Sequence, residues 1–435
     1  MSETQQGTTV ILIGRLIDGT GREPMEDAAI VVENGRIKQV GPQESVSYDA
    51  SRHDVIDAGS DTLSPGLIDA HCHIFYVGDT TYIGAKPVFG VARALQNLAA
   101  WLEQGVTTIR DVGTKDNMDI DLREAIRAGV VRGPRLLVSG SPITMTAGIV
   151  AFGKSGWAKE VTGPYEARRA VRQHIGEGVD LIKVMATASI AGNGHSRSSL
   201  RTVWPVHMQS PETSGAGKIG WTQLSLEELQ AVVEEAHNVD LVVACHAIGT
   251  EGIKNALNAG VDSIEHGTFL DEEAVEMMVA QDVFLVPTLA ILQTIAFRGD
   301  EFDYPQYAIE CGKRAVDASL ASTRMAHEAG VRIGTGTDPF NNSTVADEIE
   351  TLSRAGLSNM DALIAATRGG AELLRMQEQI GTIEVGKIAD MVILGGDPLE
   401  DLSAIRDVKY VFQEGRIVKS PDDEPTPLRE VALDA

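Results

Sequence analysis

The sequence predicts an α/β fold, a (β/α)8 TIM barrel joined to a small β-sandwich domain that is built from both termini. Three observations predict this fold. Apolar strand-like segments alternate with helical segments through the middle of the 435-residue chain, both ends contain hairpin patterns, and polar side chains recur where the central strands end. A chain of this length exceeds one small core, so a barrel and a second domain are expected.

The β-sandwich is predicted to comprise residues 1–65 and 376–435. Near the first end, "AAIVVENGRIKQVG" alternates apolar and polar residues around Asn34 and Gly35, a dipeptide typical of tight hairpin turns. Near the other end, "GTIEVGKIADMVIL" and "VKYVFQEGRIVKS" have the same character. Because both ends have hairpin patterns and the middle does not, we expect the ends to meet in one domain with the barrel inserted between them.

The barrel is predicted over residues 66–375. Its candidate strands are "GLIDAHCHI", "GVTTIRDVG", "PRLLVSG", "VDLIKVMA", "DLVVACHA", "VDSIEHG", "DVFLVPT" and "VRIGTGTD". Helical segments lie between them, and Ser225 with Glu228 fits a capping box at the start of one. An open doubly wound sheet is the alternative. No phosphate-binding glycine fingerprint follows the first strand, so the pattern favours the barrel.

Composition narrows the class of partner. A net charge of −25 argues against binding to nucleic acid. The pattern contains neither a secretion signal nor an apolar stretch long enough for a membrane span, so no membrane partner is expected. Cys72, Cys245 and Cys311 show no paired spacing, which indicates reduced thiols and a cytoplasmic protein. We therefore expect a small-molecule substrate.

Polar side chains are concentrated at the ends of the predicted strands. His71 and His73 flank Cys72, and the two-residue period of a strand directs both imidazoles to one face. Later strands end at Lys183, His246, His266 and Asp338. Imidazoles and a carboxylate are ligands that zinc prefers. The alternatives are hydrogen-bonded core histidines and, for the lysine, an ion pair with an acid such as Glu265.

The motifs at these positions resemble those of the amidohydrolase superfamily, in its imidazolonepropionase-like and Xaa-Pro dipeptidase (prolidase-like) branch. They are "PGLIDAHCHI", "LIKVMA", "ACHAIGTEGI", "DSIEHGTFLD", "GTGTDP" and "GTIEVGKIADMVIL", in the family's order. The resemblance implies two divalent metal ions, with Zn²⁺ expected. One ion would be held by His71, His73 and Asp338, and the other by His246 and His266.

The resemblance further implies that Lys183 bridges the two ions as a carbamate formed with carbon dioxide. Burial and nearby cations both lower the pKa of a lysine, which favours the neutral amine that can add carbon dioxide. The implied reaction is hydrolysis of an amide or peptide-like C–N bond by a metal-bridging hydroxide, with Asp338 as the general acid and base. A mononuclear deaminase is less favoured, because the lysine is present.

The substrate expected first is a dipeptide or an N-acyl amino acid. Dipeptidase-like members carry a histidine in "GGHG" and a tyrosine in "HAY", where this chain has Ile149 and Ile248. These two positions are therefore candidate substrate contacts of an apolar kind. The long loop after the lysine offers His195, Arg201 and His207 as further substrate-binding candidates.

Two alternative functions remain open at the level of sequence. The first is hydrolysis of a cyclic amide, carbamate, urea or aryl-amide xenobiotic or toxin on the same fold. The second is a non-catalytic binding protein that retains the fold. The resemblance is also compatible with a homo-oligomer.

Overall fold

The computed structural model describes residues 7–75, 87–150, 157–190, 219–302, 304, 306–339 and 343–423. His195, Arg201 and His207 lie outside the described residues. The strands are β1 (Thr9–Leu16), β2 (Met25–Glu33), β3 (Arg36–Pro42), β4 (Asp54–Asp57), β5 (Thr62–Pro65), β6 (Leu67–Cys72), β7 (Val106–Asp111), β8 (Arg135–Val138), β9 (Ile143–Met145), β10 (Lys159–Val161), β11 (Leu181–Met185), β12 (Val242–Ala247), β13 (Ser263–His266), β14 (Phe284–Val286), β15 (Met391–Leu394), β16 (Val408–Gln413) and β17 (Arg416–Lys419).

The α-helices are α1 (Pro87–Glu103), α2 (Met118–Arg127), α3 (Pro164–Glu177), α4 (Leu226–His237), α5 (Thr250–Ala259), α6 (Glu272–Gln281), α7 (Leu289–Arg298), α8 (Gln306–Glu328), α9 (Val345–Ala355), α10 (Asn359–Ile364) and α11 (Gly370–Leu373). The predicted capping box at α4 is confirmed, with the Ser225 side chain accepting from the Glu228 amide. No helix in the described part of the chain is both long and apolar enough to cross a bilayer.

Strands from both ends of the chain share one sheet, in the order β17-β16-β15-β5-β1-β2-β3, with β4 paired to β1. The junction is the antiparallel pair β5–β15, where Leu63 lies opposite Ile393. The predicted turn between β2 and β3 is confirmed, since Asn34 and Gly35 both adopt positive φ angles of 52° and 77°. The arrangement of this sheet as a two-layered sandwich stays a prediction.

The central strands are parallel and form two sheets, β6-β7-β8 and β10-β9-β11-β12-β13-β14. A backbone hydrogen bond of 2.8 Å from Asp180 to Val138 connects the edge of one sheet to the other. Seven of the eight predicted strands occur as strands. One predicted strand is therefore absent, and the two short strands β9 and β10 are present although they were not predicted.

The segment 331–338, predicted as the eighth strand, is not one. It makes a single bridge, Ile333 to Leu285. Isolated hydrogen bonds tie it to its neighbours, from Gly334 to Leu285 at 3.0 Å and from Ala70 to Thr335 at 2.9 Å. The physical reason is glycine, which weakens strand pairing but permits close approach. A Cβ added to Gly336 would collide with the Cβ of His71.

Candidate active site

The structure brings the six predicted metal ligands into one pocket. It is lined, among other residues, by His71, His73, Lys183, His246, His266 and Asp338. Each lies within or just beyond a central parallel strand, apart from Asp338, which follows the segment that bridges to β14. Five of the six are at most 8% exposed, and the Asp338 side chain is 14% exposed. The pocket therefore opens at one end of the parallel strands.

Three of these residues form a compact group of donor atoms. One ligand atom from each of His71, His73 and Asp338 lies within 4.8 Å of the others. The Nε2 atom of His73 is 3.5 Å from Oδ1 of Asp338. The backbone amide of Asp338 donates to the carbonyl of His71 at 2.8 Å, and a left-handed φ of 45° turns the aspartate out of the extended segment.

In each of three histidines, one ring nitrogen makes a hydrogen bond to a neighbouring oxygen atom. The Nδ1 atoms contact Glu265 Oε2 at 2.7 Å for His71, the Gly113 carbonyl at 2.9 Å for His73, and Thr288 Oγ1 at 2.6 Å for His266. If each Nδ1–H donates to its oxygen, the Nε2 lone pair is available as a ligand.

The second histidine pair lies beside the first. The ring centroids of His246 and His266 are 4.6 Å apart, and those of His266 and His71 are 4.9 Å apart. Burial lowers the pKa of His246 to about 3 and holds the pKa values of His71 and His266 well below their usual range. All three rings are therefore neutral near pH 7, as metal ligands must be.

Lys183 is 1% exposed, and its Nζ atom has no hydrogen-bond partner among the described residues. Burial lowers the pKa of this lysine to about 8. The alternative partner, Glu265, is engaged elsewhere. Its carboxylate accepts from Arg110 at 2.8 Å and from Ser263 at 2.6 Å, besides its contact with His71. Within the described part of the chain, no carboxylate oxygen lies within 4.0 Å of the lysine Nζ atom.

Supporting residues beneath the pocket include some that the sequence did not indicate. Asp69 accepts hydrogen bonds from Thr337 Oγ1 at 2.6 Å and Trp101 Nε1 at 3.1 Å. The bond from Thr337 connects β6 to the segment that carries Asp338, and the bond from Trp101 connects β6 to α1. Thr288, which lines the pocket and contacts His266, was not indicated either, because nothing in its local sequence distinguishes it from an ordinary helix-start threonine.

The rest of the described pocket wall is mostly apolar. Ile149 and Ile248 both line it, 3% and 2% exposed. The other apolar lining residues are Pro142, Val150, Trp157, Met185, Ile190, Pro287, Ile291, Leu292, Ile295 and Tyr304. Ser189, Thr268 and Thr288 add only neutral polar groups. Among the described lining residues, the histidine, lysine and carboxylate side chains are thus those of the six predicted ligands.

The donor set fits divalent cations. It combines neutral imidazoles, the buried Nζ atom of Lys183 without a hydrogen bond, and a buried Oδ1 atom of Asp338 that also lacks one in the described structure. A buried polar atom without a partner is costly, and coordination would remove that cost. Such a set at the ends of parallel strands is typical of metal-dependent hydrolases.

Comparison with known proteins agrees with this class. Residues 62–418 match the model of the amidohydrolase family, and the chain belongs to that family. It is 28% identical to ochratoxinase of Aspergillus niger over 460 aligned positions, covering 98% of this chain and 89% of the relative. It is 26% identical to imidazolonepropionase of Rhizobium rhizogenes, covering 86% and 88%.

Comparison with solved structures supports the same family. A Xaa-Pro dipeptidase with methionine bound in its active site is 30% identical, with a TM-score of 0.82 and coverage of 95% of this chain and 100% of that one. The crystal structure of A. niger ochratoxinase is 27% identical, with a TM-score of 0.80 and 96% coverage of both chains. The predicted family and its branch are confirmed, and these neighbours imply a (β/α)8 barrel.

Proposed function

We propose that this protein is a binuclear metal-dependent amidohydrolase that cleaves the C–N bond of an amide or peptide-like substrate. The observation that carries the proposal is the convergence of four histidines, a lysine and an aspartate in one pocket whose other lining residues are mostly apolar. We further propose that the two parallel sheets form one barrel over residues 66–375, with residues 1–65 and 376–435 as the second domain. A cytoplasmic location remains a prediction from the cysteine pattern.

The proposed ligands fall into two groups. His71, His73 and Asp338 would hold one ion, and His246 with His266 the other. Lys183 would join both groups as a carbamate, formed when its neutral amine adds carbon dioxide and releases one proton. When bound, divalent cations at this position would polarise a substrate carbonyl and lower the pKa of water. Zn²⁺ is the expected metal from this donor set.

Asp338 is the proposed general acid and base. Its carboxylate is the only acidic group among the described pocket-lining residues, and its Oδ1 atom lacks a hydrogen-bond donor in the described structure. It can therefore accept a proton from the attacking water. It can then deliver that proton to the departing nitrogen, which completes the cleavage of the C–N bond.

The substrate proposed first is an N-acyl amino acid or a dipeptide that carries a bulky apolar side chain. The apolar wall that contains Ile149 and Ile248 suits a substrate with such a side chain. A carboxylate anchor at His195, Arg201 or His207 stays a prediction. The same wall also favours the second candidate, an aryl-amide or a related apolar xenobiotic or toxin without a carboxylate.

Metal analysis of the purified protein tests the proposal. We expect two divalent ions per chain, and Lys183→Ala to lose most of the metal and activity, with partial recovery when a short carboxylic acid is supplied to replace the carbamate. Reconstitution after chelation should be faster when bicarbonate is added. Full occupancy of both ions in Lys183→Ala would refute the bridging role. A wild-type protein without metal or turnover would favour the non-catalytic binding protein.

Three matched substrates distinguish the candidate substrate classes. N-acyl-phenylalanine has an apolar side chain and a carboxylate, N-acyl-phenethylamine has only the apolar group, and N-acyl-glycine has only the carboxylate. A kcat/KM that is highest for the first supports the amino-acid class. Equal values for the first two support the aryl-amide or xenobiotic class, and a preference for the third contradicts the role of the apolar wall.

A further inference from the structure

Glu348 is a buried carboxylate that the proposed reaction does not use. It lies in the first turn of α9 and is fully buried. Its two oxygens accept hydrogen bonds from the backbone amides of Leu289 at 3.0 Å and Ala290 at 2.7 Å. No cationic side chain pairs with it within the described part of the chain. Burying a carboxylate without a nearby cation costs folding free energy. The contact of Glu348 with the start of α7 therefore needs an explanation.

The N-cap residue of α7 does not cap its helix, as is also the case at α2, α3 and α5. Helices α4, α6, α9 and α10 are each capped by the side chain of their N-cap residue. At α7 that residue is Thr288, which makes no capping hydrogen bond. Its hydroxyl instead contacts Nδ1 of His266 at 2.6 Å. The free amides at this helix end therefore take the carboxylate of Glu348 as their acceptor.

The backbone of Thr288 explains how one hydroxyl reaches His266. Thr288 has φ 49° and ψ 49°, a left-handed conformation that is rare and unfavourable for a β-branched residue. Such a conformation persists only when its surroundings hold it in place. The two hydrogen bonds that Leu289 and Ala290 donate to Glu348 fix the residues immediately after Thr288. They are the contacts best placed to hold it.

The same helix also forms part of the pocket wall. Ile291, Leu292 and Ile295 of α7 line the pocket within two turns of the amides that Glu348 binds. A shift at the start of α7 would therefore move both the hydroxyl that orients His266 and the apolar wall.

We propose that Glu348 is a positioning residue, which holds the start of α7 so that Thr288 orients His266 and the apolar wall keeps its place. This inference rests on the proposed function, because it takes His266 as a metal ligand. Residues that orient a metal-binding histidine typically change metal affinity by about 10- to 100-fold when they are altered. The proposal therefore predicts an effect on metal binding, besides any effect on stability.

The test compares metal affinity by chelator competition in the wild type, E348Q and T288V. Glutamine keeps the shape but can offer only one oxygen acceptor, and valine keeps the shape of threonine without its hydroxyl. We expect each variant to lower the affinity for one of the two metal ions by about 10- to 100-fold. The visible spectrum of the Co²⁺-substituted protein should change with that ion, and T288S should retain the wild-type affinity.

The double variant E348Q/T288V separates positioning from general stabilisation. If the two residues act through one path, its loss of affinity equals that of either single variant rather than their product. S358A is the matched control, since it removes the cap of α10 without touching the pocket, and both ions should bind as in the wild type.

Unchanged affinities in a folded E348Q, or independent effects in the double variant, would overturn the inference while leaving the proposed function intact. If E348Q does not fold, E348D takes its place under the same criteria. A wild type that binds no metal would refute the proposed function itself, so the two failures are distinguishable.

Discussion

Replacing Lys183 with methionine should stabilise the metal-free protein. The lysine is 1% exposed, and its Nζ atom makes no hydrogen bond among the described residues. Burial lowers its pKa from 10.5 to about 8. At about 1.4 kcal/mol per pKa unit, holding the charged lysine in the metal-free fold at pH 7 costs about 3–4 kcal/mol. Methionine has a similar length without the charge, so Lys183→Met should recover most of that free energy.

The effect has a defined dependence on pH. Below pH 8 the lysine is protonated in both the folded and unfolded states, so the full cost is present. As the pH rises from about 8 towards 10.5, the folded state releases its proton first and the cost disappears. The advantage of the variant over the wild type should therefore be largest at pH 7 and shrink above pH 8.

Urea unfolding of chelator-treated protein, followed by tryptophan fluorescence, measures this difference. Lys38→Met, at a lysine whose side chain is 68% exposed, is the control and should change the free energy of unfolding by less than about 0.5 kcal/mol. With metal added, the order should reverse, because only the wild type can form the proposed carbamate. A metal-free Lys183→Met that is less stable than the wild type at pH 7 would refute the reasoning and identify a paired structural lysine.

Three further predictions concern two pocket residues and the buried ion pair between Arg110 and Glu265. Asp338→Asn should lower kcat by at least about 100-fold, measured on the best substrate of the panel, because the proton acceptor is lost. Ile248→Ala should lower kcat/KM for N-acyl-phenylalanine about 10-fold and leave N-acyl-glycine nearly unchanged, because only the first substrate uses the apolar wall. Glu265→Gln should cost about 3–5 kcal/mol of unfolding free energy in urea titrations, because it leaves the buried Arg110 guanidinium without its charged partner. Replacing both Arg110 and Glu265 with methionine should cost less than the sum of the single replacements.

For each of these predictions, a defined outcome would contradict the reasoning. Turnover in Asp338→Asn close to that of the wild type would assign the proton transfer to another group. An equal loss for both substrates in Ile248→Ala would indicate a general disturbance of the pocket. Additive costs at Arg110 and Glu265 would show that the pair contributes no coupling, despite the 2.8 Å contact between them.

The positions of the six proposed ligands could be predicted from the sequence because simple rules of strand geometry govern them. Strand periodicity puts His71 and His73 on one face, and parallel strands bring their carboxyl ends together. The segment 331–338 was harder, because its apolar pattern suggests a strand while Gly334 and Gly336 leave only isolated contacts with its neighbours.

The supporting network could not be predicted in the same way. Glu348 and Leu289 are 59 positions apart, and Trp101 and Asp69 are 32 apart. Their contacts depend on how the helices pack against the strands. This packing leaves no periodic pattern in the sequence. A carboxylate that binds the amides of a distant helix has the same local sequence as one that faces water.

The shared terminal sheet has a consequence for how the protein is made. Leu63 and Ile393 pair across β5 and β15, more than three hundred residues apart in the chain. During synthesis, the strands near residue 63 leave the ribosome long before their partner exists, so the β5 edge stays open until residues 391–394 have been made. Pairings so distant in sequence are slow to form, and an open apolar edge invites association with other chains. Early termination should therefore yield aggregating fragments, and chaperone demand should fall once β15 emerges.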